Sequence, residues 1–154
     1  MNRHRASQAG FSLIELSVVC LIFGVMLAFS IPSFISFRRT HLLKGATENL
    51  VGQLRLSRQK AMSIGHQQRV TFTTGANGSY IVRDMSTSKD YGPFTLPKGI
   101  TLESASLLVG GTTGKVITAL TDGRFSGSGD VVLKDPRGLR DTVSVQTSGL
   151  ALSH

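Results

Sequence analysis

The sequence predicts an α+β fold, in which a long N-terminal helix spans a membrane with its first half and packs with its second half on a C-terminal antiparallel β-rich head. Three observations carry this. From Phe11 to Phe37 the only charged side chain is Glu15, and the centre from Val18 to Phe29 holds no strongly polar group. Leu43, Ala46, Leu50, Leu54 and Ala61 then recur at spacings compatible with one helical face. Beyond Gly65 the period changes to strand alternation broken by glycine turns. A chain of 154 residues has room for one small domain and one special segment. The expected divisions are a short basic head at 1–10, an apolar helix at 11–37, a helical stem at 38–64 and a β-rich domain at 65–154.

The apolar run is long enough to cross a bilayer, which takes about 20 helical residues. Arg3 and Arg5 precede it with no acid among them, so the N-terminus is expected in the cytoplasm and the rest outside. Arg38 and Arg39 at the far end weaken that bias without removing it. A cleaved secretory signal is a poorer match, because its apolar core runs to about 7–15 residues and is followed by a small-residue cleavage site, which "IPSFISFRR" does not offer. A plain signal anchor explains the length but not Glu15. A charged group within a bilayer costs roughly 2.5–3.5 kcal/mol on insertion scales and usually has a partner. Cutting the chain between Gly10 and Phe11 would supply one. The new amine at Phe11 would lie four residues before Glu15, on the same helical face and about 6 Å away along the axis. Such opposite charges can also pair between neighbouring chains stacked one step apart.

The segment "G-FSLIEL", from Gly10 to Leu16, resembles the class III signal of type IV pilins and pseudopilins. The resemblance implies a type IV pilin-like fold and a cytoplasmic prepilin leader over residues 1–10. A prepilin peptidase would cleave after Gly10 and N-methylate Phe11, and Glu15 would recruit and register subunits in a filament. Pro32 also resembles a feature of pilin helices. It predicts either a kink, because the carbonyl of Ala28 loses its partner, or the end of the first helix. If the helix continues to Gly65, a plausible C-terminal stop, residues 11–64 would span about 80 Å at 1.5 Å per residue.

In the head, "QQRVTFT" and "SYIVRDM" alternate like strands, joined by "TGANGS", whose Asn77-Gly78 pair suits a hairpin turn. Further strands are expected at Thr95 to Glu103, Lys115 to Leu120, Asp130 to Lys134 and Thr142 to Gln146. Turns are expected at Gly110-Gly111, Asp122-Gly123 and Gly127 to Gly129. The stem "LRLSRQKAMSIGHQQRVTF", the segment "TDGRFSGSGDVVLKDPRG" and the last strand "TVSVQTSGL" resemble the GspH/FimT group, which holds the H-type minor pseudopilin of type II secretion and FimT-like minor pilins. This implies an inner-membrane subunit with a periplasmic head near a filament tip. Its implied partners are the prepilin peptidase, other minor and major pseudopilins, the secreted substrate or the outer-membrane secretin.

FimT-like proteins are associated with DNA uptake, so the place of the charge matters more than the total of +8 or the pI near 10.4. The stem holds Arg38, Arg39, Lys44, Arg55, Arg58 and Lys60 against Glu48, whereas residues 65–154 hold nine Lys/Arg against seven Asp/Glu. Arg137 and Arg140 are the best candidates for phosphate contacts, but Asp122, Asp130, Asp135 and Asp141 are interleaved with the head's cations and reduce the field. DNA-binding FimT proteins also share a C-terminal G-R-x-R segment, where this chain reads "SGLALSH". Secretion subunit and DNA-binding minor pilin are therefore the two readings, the former the stronger.

No catalytic residue, metal site or cofactor is expected. His4, His41, His66 and His154 are scattered, and no HExxH, CxxC, P-loop or EF-hand pattern is present. "GGTTGK", Gly110 to Lys115, is continued by Val116 and reads as a turn. The single cysteine, Cys20, reads as a small, buried apolar residue of the greasy run.

Overall fold

The structure is a computed structural model that describes residues 12–154, with the side chains of residues 28–36 outside the description. Helix α1 covers Leu13–Ile64. It therefore continues through Pro32, and the alternative of a helix ending there does not hold. The described chain forms two compact units, one up to Arg38 and one from Arg39 to His154.

In the second unit, the stem part of α1 buries Leu43, Ala46, Leu50, Val51, Leu54 and Ala61, including all five residues of the expected face. Thr47 and Ser57 are buried beside them, and each hydroxyl donates to the carbonyl four residues back, at Leu43 and Gln53. These polar groups thus add to the helix face without an unsatisfied donor. The helix stops at Ile64, and Gly65 follows with φ of 70°, the left-handed conformation of a glycine after a C-terminus.

The head has nine strands. The first sheet is built from β1 (Gln68–Thr73), β2 (Ser79–Asp84), β3 (Asp90–Thr95) and β6 (Val116–Ala119), in the order β3-β2-β1-β6. The second is built from β4 (Thr101–Val109), β5 (Thr112–Gly114), β7 (Gly127–Lys134), β8 (Arg140–Val145) and β9 (Ala151–Ser153), in the order β5-β4-β7-β8-β9. Every pairing is antiparallel. The α+β class, a helix packed with an antiparallel β-rich region, is thus the observed one. Alternation drives β1, whose Val70 and Phe72 are buried while Arg69 and Thr71 are exposed. Val82, Leu102, Leu107, Ile117, Val131, Leu133, Val143 and Val145 complete one core with the helix face.

Several local expectations need correction. The β1–β2 connection is not a two-residue Asn-Gly turn, because Gly78 N–H donates to Gly75 O at 3.0 Å and the loop runs from Thr74 to Gly78. Gly78 is needed for space instead, since a Cβ there would lie 2.6 Å from Leu102 Cβ. The expected strand Thr95 to Glu103 straddles two real ones, the end of β3 and the start of β4, with a turn between them in which Ile100 N–H bonds Pro97 O. Gly127 and Gly129 lie inside β7 rather than in a turn, where any Cβ would run into the carbonyls of Leu108 and Ser106 on β4. Gly110 and Gly111 do form the two-residue β4–β5 turn, with φ of 57° and 83°, both positive as a type I′ hairpin turn requires.

Candidate processing and assembly site

Gly10 and Phe11, the expected cleavage and methylation positions, lie outside the described residues. Ser12 Oγ accepts the backbone N–H of Glu15 at 3.2 Å, and Ser12 O accepts the N–H of Leu16 at 3.2 Å. Ser12 is thus the N-cap and Glu15 the third helical residue, the S-x-x-E spacing of a capping box. The acid also sits in the first turn, where the exposed N–H groups and the helix dipole favour negative charge. The S-L-I-E spacing is legible in the sequence, and it gives Glu15 a local role beside any charge pair with a new amine.

Around this cap the helix is apolar on all sides and exposed. Leu13 is 84% exposed, Leu21 68% and Phe23 61%, and Cys20 is exposed among them rather than packed. A helix apolar on every face has the pattern of a core helix or a membrane span. No helix among the described residues is long and apolar enough to cross a membrane. The expected span of 11–37 includes the undescribed Phe11 and the undescribed side chains of 28–36, among them Pro32.

The candidate phosphate-contacting residues lie around the β7–β8 turn, and the structure treats them differently. Arg140 is engaged by Glu103 on β4 through two hydrogen bonds, Nε to Oε2 at 2.6 Å and Nη2 to Oε1 at 2.8 Å. Lys134 Nζ reaches the same carboxylate at 3.5 Å. The Arg140 hydrogen bonds, opposed by partial burial and helped by the charges of Arg140 and Lys134, hold the Glu103 carboxyl at about 2. Thirty-seven residues separate Arg140 from Glu103, so local spacing gave no sign of this pair. Arg137 differs. Its backbone N–H, like that of Leu139, donates to Asp135 Oδ1, at 2.9 and 2.8 Å, while its guanidinium has no partner among the described residues. Two of the other interleaved acids are also engaged, Asp122 by Arg124 at 2.7 Å and Asp130 by the Ser144 hydroxyl at 2.6 Å.

Of the histidines, His66 stands where α1 passes into β1, with Nδ1 3.2 Å from Asp84 Oδ2. Asp84 is 2% exposed and also accepts the N–H groups of Ser86 and Thr87. Burial raises its pKa, but the donors of Thr87, Ser86, His66 and Gln68 outweigh burial and hold it at about 2. This group closes the helix–sheet junction.

Residues 5–31 match the family described as the prokaryotic N-terminal methylation motif. No curated protein and no solved structure matches the chain. The matched stretch contains Gly10, Phe11, the Ser12 cap and Glu15. Such a motif implies processing by a prepilin peptidase and assembly with other pilin-like subunits. The chain therefore carries a type IV prepilin-like signal, and it joins that signal to an α+β fold with a β-rich head.

Proposed function

We propose that the protein is a minor pseudopilin of the GspH/FimT group in a type II secretion system. A prepilin peptidase cleaves it after Gly10 and methylates Phe11. It is held in the bacterial inner membrane with its N-terminus in the cytoplasm, and is then extracted into a short periplasmic filament with its head at or near the tip. Its work is mechanical and interactive rather than catalytic. The observation that carries this reading is the methylation motif at the start of a helix whose stem packs into a nine-stranded head. The exposed apolar side chains of Leu13, Ile14, Leu16, Leu21 and Phe23 support the membrane step, because a bilayer is the surrounding that such side chains favour.

Glu15→Ala tests the reading in cells that carry the other minor subunits. Membrane insertion is expected to persist, since the change removes a charge from an apolar helix, while co-purification with the other minor subunits is lost. Normal co-assembly of the variant would overturn the role of Glu15.

A second reading, a minor pilin that binds DNA for uptake, is favoured by one feature, the guanidinium of Arg137, which has no partner among the described residues. Against it stand the engagement of Arg140 by Glu103 and the local pairing of the neighbouring acids and bases. It predicts salt-sensitive binding of duplex DNA that Arg137→Gln weakens. Absence of any mobility shift at low salt would exclude it.

A further inference from the structure

The outer face of the first sheet carries a charge arrangement that the assembly reading does not use. In the β1–β2 register Arg69 stands directly opposite Arg83. Like charges directly opposite on one face of a sheet are unfavourable. Arg83 is relieved by Asp90 through two short hydrogen bonds. Arg69 is exposed and has no ion pair or hydrogen bond from its side chain among the described residues. On its other side it faces Thr118 of β6, so no carboxylate stands opposite it on either neighbouring strand.

Arg69 also borders a groove of about 270 Å³. Val109 of β4 and Val116 of β6 give it an apolar lining above the fully buried Leu107, and Thr112 and Thr118 add hydroxyls. Among the described residues no acid lines it, and Arg69 is the one charged group that does. Two sheet-end strands flank the groove: β6, whose Thr118 already bonds Ser126 through both its N–H and its carbonyl, and β5, the last strand of the second sheet. All three residues of β5 are exposed. An outer strand offers backbone donors and acceptors to an added extended segment.

We propose that this groove docks an extended segment of another protein that carries a carboxylate flanked by apolar side chains. The segment lies along β5, its apolar side chains rest on Val109 and Val116, and its carboxylate takes the guanidinium of Arg69 as a forked, charge-assisted pair. Charge complementarity selects this occupant. A single cation with an apolar floor suits one carboxylate between apolar neighbours, whereas a nucleic-acid backbone needs a row of cations. The proposal is independent of which machine the subunit serves.

The test uses the full chain in detergent micelles and a fluorescein-labelled, C-terminally amidated Val-Glu-Val-Glu-Val peptide, read by fluorescence anisotropy. Saturable binding is expected, weakened by about tenfold in Arg69→Gln and for the glutamine version of the peptide, as loss of a charge-assisted pair requires. Val116→Glu, which places an acid in the groove, is expected to weaken binding at least as much. Arg137→Gln, at the β7–β8 turn, is expected to leave it unchanged. No saturable binding, equal affinity for the glutamine peptide, or unchanged affinity in Arg69→Gln would overturn the proposal. So would displacement of the peptide by a duplex DNA oligonucleotide at matched charge concentration, which would make the groove a phosphate site.

Discussion

Glu15 stands under two separable physical demands. Its backbone N–H is held by the Ser12 hydroxyl, and its carboxylate is the negative charge that the first turn favours. Ser12→Ala removes the cap and leaves the charge, and is expected to fray the first turn at a cost of about 1 kcal/mol. Glu15→Gln removes the charge and leaves the cap. Hydrogen exchange of the first-turn amides in micelles separates the two, with faster exchange expected in Ser12→Ala and near-normal exchange in Glu15→Gln. Equal protection in wild type and Ser12→Ala would show that the hydroxyl contributes nothing to the helix start. The other residue whose environment makes a prediction is Asp84. Its carboxyl is held at about 2 in the folded protein against an ordinary 3.8. The folded state therefore binds fewer protons than the unfolded one. The contribution is fully present above about pH 4 and is lost as pH falls through about 2. Denaturant midpoints measured from pH 7 down to pH 2 are expected to fall over that window in the wild type. In Asp84→Asn the midpoint is expected to start lower at pH 7 and to fall less, the residual fall belonging to Glu103, which is held at about 2 by Arg140 and Lys134, and to Asp90 and Asp122, which Arg83 and Arg124 hold below the ordinary value. An unchanged acid limb in Asp84→Asn would show that the buried carboxylate is not coupled to folding.

At the scale of elements, the stem of α1 has a buried face and an open one, and single changes on each give opposite signs. Leu54 is fully buried, so Leu54→Ala is expected to cost about 2–5 kcal/mol through lost transfer energy and a cavity. Gly52, two residues away, is exposed with nothing within 4 Å of a built Cβ. Gly52→Ala is expected to stabilise the helix by about 0.5–1 kcal/mol. Thermal unfolding in micelles reads both, and a destabilised Gly52→Ala would mean that the open face is occupied. This helix was legible in advance because burial on one face forces a 3.6-residue recurrence that Leu43, Ala46, Leu50, Leu54 and Ala61 display in the sequence. The β1–β2 strands were legible for the same reason at period 2. Other strands were hidden by specific interruptions. In β3 the six residues alternate poorly because Gly92 and Pro93 fall in its middle, where the pairing with β2 shifts register. In β4 a second shift between Leu102 and Ser104 puts the buried Leu102 and Ala105 out of phase. The strand β9 is only three residues long and is recruited by pairing with β8, a tertiary cause with no local pattern. The candidate site divides in the same way. Ser12 and Glu15 are three residues apart and could be read together, whereas the link from Arg140 to Glu103 exists only through the register of β4, β7 and β8.

Across the whole molecule, the two compact units meet opposite solvent requirements. The unit from Arg39 to His154 buries its large aliphatic side chains in one core, while Leu13, Ile14, Leu16, Leu21, Phe23, Met26 and Leu27 of the other are each more than 60% exposed. Each such side chain left in water forgoes roughly 1.5–3 kcal/mol relative to burial. The sum far exceeds what the few-kcal/mol stability of a small domain could offset. The chain in aqueous buffer is thus driven to cover this surface, by lipid, by detergent or by other copies of the same helix. The full chain is expected to partition into the detergent-rich phase of a Triton X-114 separation, and to form large assemblies on size exclusion once detergent is removed. Changing Leu16, Leu21 and Phe23 together to Ser is expected to move a large share of the protein into the aqueous phase while the head's unfolding midpoint stays the same. Retention of the wild-type chain in the aqueous phase as a monomer would show that the exposed side chains are covered within the protein itself, and the membrane step of the proposed function would lose its physical basis.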